Sequence, residues 1–329
     1  MVTDHAVSKL LPAAIDRRGF IELLESPPPP FAEGFIAETL AAIVAADQSA
    51  VRTRIRSSTL LSFQPDRPPP TGVIAHVGRC GSTLLCRMLD ATGAVATFRE
   101  PEVLIDAALL DDEIVGDAIA AIVGQYAWMA NAAARTAVVK LPSHVHMLLD
   151  RLAPPARAAR VFVIRHPVPV VASLINSPPH WLLRVLAEHG QQGDEDRRTV
   201  NPTAAAIEIL ADHWNGFVDS MANLGSAPYG VTLTYGELVS NPARTVNRVA
   251  GVVGFADDDT DSAISSVLGR DAKSGRVRLQ PQLTPPLPPD AVSHLLHLTR
   301  GHRRVVADLT GRPDEFDSGA DKTAPLAAE

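Results

Sequence analysis

Six consecutive residues, Gly78-Arg79-Cys80-Gly81-Ser82-Thr83, combine two glycines, a guanidinium and two hydroxyls. Gly78 and Gly81 let the backbone turn sharply and come close to an anion. The β-branched run before them and the helical pattern after them place the segment at a strand-to-helix turn. There the free N–H groups and the positive end of the helix dipole add to the hydroxyls of Ser82 and Thr83. A plain turn would need only the glycines, so the arginine and hydroxyls point to phosphate binding. A kinase-type loop carries lysine directly before its hydroxyl residue. Here Gly81 holds that place and the basic residue is Arg79.

A second element reads VFVIRHPVPVVASLI. Arg165 ends a strand, Pro167 begins a helix, and Ser173 follows Arg165 by eight residues. Across such a turn a guanidinium and a hydroxyl can reach one phosphate; the plainer reading is a strand-end arginine and a packed serine. The later strands finish in Lys140, Arg165 and Tyr235, with no acidic end for magnesium, which suits an anion that arrives without metal. His144 and His146 lack an evident third ligand, so no metal site is expected. His76 reads as a hydrogen-bonded core histidine.

These residues need a scaffold. Strands are predicted at Val73–Val77, Ala137–Lys140, Val161–Arg165 and Val231–Tyr235. Helices are predicted over 82–92, 113–132, 143–152, 168–175 and 203–224. Short apolar strands alternating with helices indicate three-layer α/β architecture, a parallel sheet covered on both faces. Ligands then bind beyond the carboxyl ends of the strands. Helical spacing over 7–24 and 34–46 predicts an N-terminal helical extension (1–70) on a core of 71–310. With no second set of strands visible, one domain is expected. Residues 311–329 are polar, aperiodic and expected to form a flexible tail.

Composition narrows the partners. The chain has 329 residues, 46% of them hydrophobic and 20% charged, enough to bury a real core. A net charge of −7 argues against nucleic acid as a partner but leaves room for a local anion site. Two cysteines, Cys80 and Cys86, fit a reducing compartment. No signal peptide or membrane anchor is evident, and a cytoplasmic location is expected.

Taken together, the two phosphate elements resemble the sulfotransferase superfamily that uses 3′-phosphoadenosine-5′-phosphosulfate (PAPS). Its first loop has the form [KR]-S-G-[ST]-[ST], matched by R-C-G-S-T at 79–83 with Cys80 in place of serine. Its later R-[DH]-P strand end with serine eight residues on is matched by Arg165-His166-Pro167 and Ser173. VVKLP at 138–142 is similar to the family's K-x-P strand end, and VTLTYGELVSNPARTVNRVAGVVGF at 231–255 to its Y-[ED]-x-L-x-x-[ND]-P segment. The resemblance covers about residues 72–256 in the family's order.

The resemblance implies sulfuryl transfer to a hydroxyl or amine, with PAPS as co-substrate, 3′,5′-ADP (PAP) as product and no metal required. Arg79, Ser82 and Thr83 would hold the 5′-phosphosulfate, with Gly78, Cys80 and Gly81 shaping the loop. Lys140 would assist at the leaving group, and Arg165 and Ser173 would recognise the 3′-phosphate. Lys273 and Arg276 fall where the family returns a basic loop to that phosphate. For the base, cytosolic members place histidine two residues after the lysine, where this chain has Pro142. The tyrosylprotein and bacterial branch uses a glutamate that matches Glu100, with Glu102 and His144 as rivals. The polar segment 190–202 could act as a lid over the acceptor. A P-loop kinase or NTPase, and a silent nucleotide-binding protein of the same fold, stay open. Nothing in the sequence names the acceptor or the oligomeric state.

Overall fold

A computed structural model describes residues 9–29, 31, 35–46, 52–64, 71–144, 159–189, 193–194, 199–200, 203–225, 230–255, 264–265, 267–268 and 285–316. The N-terminal part corrects the expected helical extension. It is a three-stranded antiparallel sheet, β1 (Leu10–Ile15), β2 (Phe20–Glu25) and β3 (Arg52–Arg56), joined by α1 (Ile36–Ala46) and followed by α2 (Ser57–Ser62). Only α1 matches a predicted helix. The β1–β2 turn is set by Asp16, whose Oδ1 accepts hydrogen bonds from the N–H groups of Arg18 (2.9 Å) and Phe20 (3.0 Å). Gly19 completes the reversal at φ +75°. Pro12, without an N–H to donate, sits in the edge strand β1, where the register shifts.

The core is a five-stranded parallel sheet. Its chain order is β4 (Thr71–His76), α3 (Ser82–Ala91), β5 (Val95–Arg99), α4 (Val103–Ala108), α5 (Asp112–Ala132), β6 (Thr136–Lys140) and β7 (Ala159–Ile164). Then follow α6 (Pro167–Asn176), α7 (His180–Glu188), a short ribbon β8 (Gly193–Asp194) and β9 (Thr199–Val200), α8 (Ala204–Gly225) and β10 (Gly230–Thr234). The spatial order is β10-β7-β4-β6-β5, and every neighbouring pair is parallel. All six residues of β4 and all five of β5 are buried, as strands covered on both faces must be. The chain leaves β4 toward β5 but leaves β7 toward β10. The crevice between β4 and β7 is therefore the switch point at which such sheets bind ligands.

After β10 come α9 (Tyr235–Ser240), α10 (Pro242–Val253), α11 (Pro289–Leu298), α12 (Arg300–Thr310) and α13 (Pro313–Phe316). Thr234 and Glu237 cap α9 reciprocally, so Tyr235 opens a helix and does not end the strand. Residues 311–316, expected to begin a flexible tail, are packed on the domain, and 317–329 lie outside the described residues. Phe316 is fully buried, and the Glu315 carboxylate accepts from the Thr234 hydroxyl at 2.8 Å and the Gly236 N–H at 3.2 Å. Among the described residues no helix is long and apolar enough to cross a membrane.

Candidate active site

Three adjacent strands deliver the central groups. β4 runs into the loop 78–83, β6 ends at Lys140, and β5 ends one residue before Glu100. The register pairs Lys140 with Ile74 of β4 on one side and with Arg99 of β5 on the other. The loop, the lysine and the glutamate are thereby brought side by side. Lys140 is only 1% exposed, yet its ammonium is well partnered. It donates to the Thr83 hydroxyl at 3.2 Å and to the Glu100 carboxylate, and it lies 5.4 Å from the Phe35 ring centroid. A buried cation persists where carboxylate and hydroxyl compensate lost water.

The loop has a cradle's backbone. Gly78, Arg79 and Gly81 take φ values of +80°, +50° and +86°. At Gly81 a Cβ would come 2.8 Å from Leu238 and 3.0 Å from the Tyr235 ring, so a side chain has neither the dihedral nor the room. Gly81 also precedes α3 without supplying a side-chain cap, so the first turn of that helix starts at the loop with no capping side chain. Arg79 is the arginine in strain. Its guanidinium crosses to the far end of α6, donating to the Ser177 carbonyl and to the Ser177 hydroxyl at 3.3 Å. The Cys80 side chain points into the core, fully buried, and burial pushes its thiol up.

Glu100 is the second strained residue, at φ +52°, with its N–H donated to the Lys140 carbonyl at 2.7 Å. Its neighbour Arg99 is locked to α3: Arg99 pairs with Asp90, and Thr97 gives Asp90 its N–H and its hydroxyl, both at 2.7 Å. The strand end that carries Glu100 is thereby tied to the helix that follows the anion loop. Burial opposes the Glu100 charge, but Lys140 and the nearby histidines outweigh it and hold the carboxyl below its usual range. It is an ionised group at neutral pH. His144 stacks on Trp181 (5.5 Å, 22°), and burial lowers its pKa, with the charge of Glu100 opposing that shift.

Arg79, Ser82, Thr83, Glu100, Lys140 and Ser173 share a cleft of about 900 Å³. Gly78 and Gly81 line it, as do both rival bases, Glu102 and His144. Arg165 does not. Its guanidinium lies 4.1 Å from the Tyr235 ring centroid, and that ring backs Gly81. Lys273, Arg276 and His146 lie outside the described residues, as does most of 190–202 apart from the β8–β9 ribbon.

No protein-family model and no curated protein matches the sequence. Solved structures do. The sulfotransferase domain from the curacin biosynthetic pathway is 16% identical with a TM-score of 0.42, covering 71% of this chain and 99% of that one. Sulfotransferase STF9 from Mycobacterium avium is 12% identical with a TM-score of 0.46, covering 80% of each chain. Mouse sulfotransferase SULT7A1, solved with PAP, is 14% identical with a TM-score of 0.40, covering 78% of this chain and 89% of that one. What this chain resembles are sulfotransferases. At these values the chemistry of the cleft has to come from its own residues.

Those residues suit the binding of an anion. Arg79, Lys140, Ser82, Thr83 and the start of α3 line the cleft together with three carboxylates, Glu100, Glu102 and Asp106, of which Glu100 is the one paired with Lys140. Sequence reasoning did not find Ser177 or Trp181. Ser177 ends α6 and, with Pro178 and Pro179, turns the chain into α7, so that Trp181 lines the cleft. The Ser-Pro-Pro break soon after Ser173 was the available signal.

Proposed function

We propose that this cleft carries out sulfuryl transfer from PAPS to a hydroxyl or amine of an acceptor, leaving 3′,5′-ADP. The observation that carries the reading is the position of Lys140, hydrogen-bonded at once to Thr83 of the anion loop and to the Glu100 carboxylate. A cation there can stabilise the negative charge that builds on the leaving oxygen at the loop while the neighbouring carboxylate takes the acceptor's proton.

The residues fit such a donor. The positive-φ cradle at 78–81, the start of α3 and the Ser82 and Thr83 hydroxyls supply donors for a phosphosulfate, and Ser173 on the same cleft is available to the 3′-phosphate. PAPS supplies the sulfuryl group. Lys140 and Arg79 stabilise the electron pair left on the phosphate oxygen as the bridging S–O bond breaks, a form of electrostatic preorganisation. Glu100 takes the proton from the acceptor O–H or N–H as that atom bonds to sulfur. The loop and Glu100, tied through Asp90 and Arg99, keep donor and base in line.

The test is incubation of the protein with ³⁵S-labelled PAPS and a metabolite extract. Label passing into an acceptor, with equimolar 3′,5′-ADP formed, supports the reading. Intact PAPS in the presence of folded protein and every extract fraction contradicts it.

A further inference from the structure

We infer that His76 is a positioning residue whose single neutral ring sets both the phosphate loop and the strand end carrying Lys140. The kinetic half of this inference rests on the sulfuryl-transfer reading; the structural half does not. His76 is the last residue of β4 and is 5% exposed. Its Nδ1 accepts the Gly78 N–H at 3.1 Å. A neutral imidazole nitrogen that accepts carries no proton, so the ring hydrogen is on Nε2. Nε2 lies 2.8 Å from the Leu141 carbonyl and donates to it, with Glu100 Oε1 farther off at 3.6 Å.

Each bond falls where the sheet stops providing partners. Gly78 has left β4 at φ +80°, and Leu141 is one residue beyond β6. Both backbone groups are buried, and an unpaired one would be costly. The ring therefore cross-links two diverging loops at the points where one begins to wrap the anion and the other has just presented Lys140. Burial, reinforced by the Lys140 charge, pushes the imidazole down to about 3, so the assignment of acceptor and donor nitrogens holds throughout the neutral range. With both nitrogens engaged and almost no exposure, His76 has no free atom for a substrate proton.

The two halves of the ring can be separated chemically. An asparagine places its amide oxygen near Nδ1, and a glutamine places its amide N–H near Nε2. In the full chain, His76→Gln should keep the Leu141 bond and lose the Gly78 bond. Its affinity for 3′,5′-ADP by calorimetry should fall about 10-fold, with faster Gly78 amide exchange and a PAPS hydrolysis rate at saturation within about 2-fold of wild type. His76→Asn should do the reverse: 3′,5′-ADP affinity within about 2-fold, and a saturated rate down about 10-fold. Equal losses of both readouts in both variants, or no loss in either, overturn the inference. If wild type neither binds 3′,5′-ADP nor consumes PAPS, the proposed function fails. Gly78 exchange, protected in Asn and unprotected in Gln, then decides the role of His76 alone.

Discussion

The ammonium of Lys140 reaches across 3.2 Å to donate to the hydroxyl of Thr83, tying the end of β6 to the first turn of the helix that follows the anion loop. This contact leads to the first prediction. Lys140→Ala should reduce sulfuryl transfer by about 100-fold or more while 3′,5′-ADP binding changes only a few-fold, because the lysine serves charge that develops in the transition state. Thr83→Ala should cost about 10-fold. Steady-state rates and calorimetry on the two variants check this; a Lys140→Ala enzyme with normal kcat contradicts it.

Glu100→Gln should spare 3′,5′-ADP binding and abolish turnover. Because Lys140 and the nearby histidines hold the carboxyl low, the acid limb of the wild-type rate profile should lie below the ordinary carboxylate range. His144 offers the contrast, since a limb below the ordinary histidine value but above the carboxylate range would assign proton removal to it. A pH–rate profile from 3 to 8 distinguishes the two.

Much of this site could be read from the sequence because its parts are local. The glycines, arginine and hydroxyls of 78–83 sit within one turn, and the apolar runs that became β4, β6 and β7 are short and bounded. Three features escaped. β5 (VATFR) is only five residues long, follows α3 closely and carries Thr97 and Arg99 within its buried run, which hid the strand that presents Glu100. The segment 7–24 carries leucines and isoleucines at spacings that suit helix and strand alike. The Asp16-x-x-Gly19 turn was the deciding signal. The Arg79–Ser177 contact joins residues 98 apart and has no local trace.

Arg165 and Ser173, paired by their spacing, have different surroundings in the structure. Ser173 is on the cleft, and Arg165 backs the loop through Tyr235. Arg165→Ala should weaken 3′,5′-ADP binding through a loosened Gly81–Tyr235 contact. Tyr235→Ala should weaken it similarly, and the double variant should add little more. Calorimetry on the three proteins measures the coupling; full additivity would place Arg165 on the ligand independently of Tyr235.

Stability should depend on His76 in acid. With the folded ring titrating at about 3 and the unfolded one near 6.5, the unfolded chain takes up the proton first. Stability is therefore full above about 6.5 and declines as pH falls toward 3, on the order of 2 kcal/mol between pH 7 and 5. Lys140, Glu100 and His213 face the ring, and the lowered Glu100 adds a loss in the same direction at lower pH. Urea unfolding of wild type and His76→Gln at both pH values should show the variant losing less. An equal loss contradicts the buried neutral ring.

The most direct measurement is a thermal unfolding titration with 3′,5′-ADP in a chelator, beside Mg-ATP without it. Saturating 3′,5′-ADP should raise the melting temperature by several degrees, on the order of 5 °C at 100 times Kd, and Mg-ATP should do so weakly or not at all. Stabilisation by Mg-ATP alone would contradict a cleft built for a doubly phosphorylated adenosine.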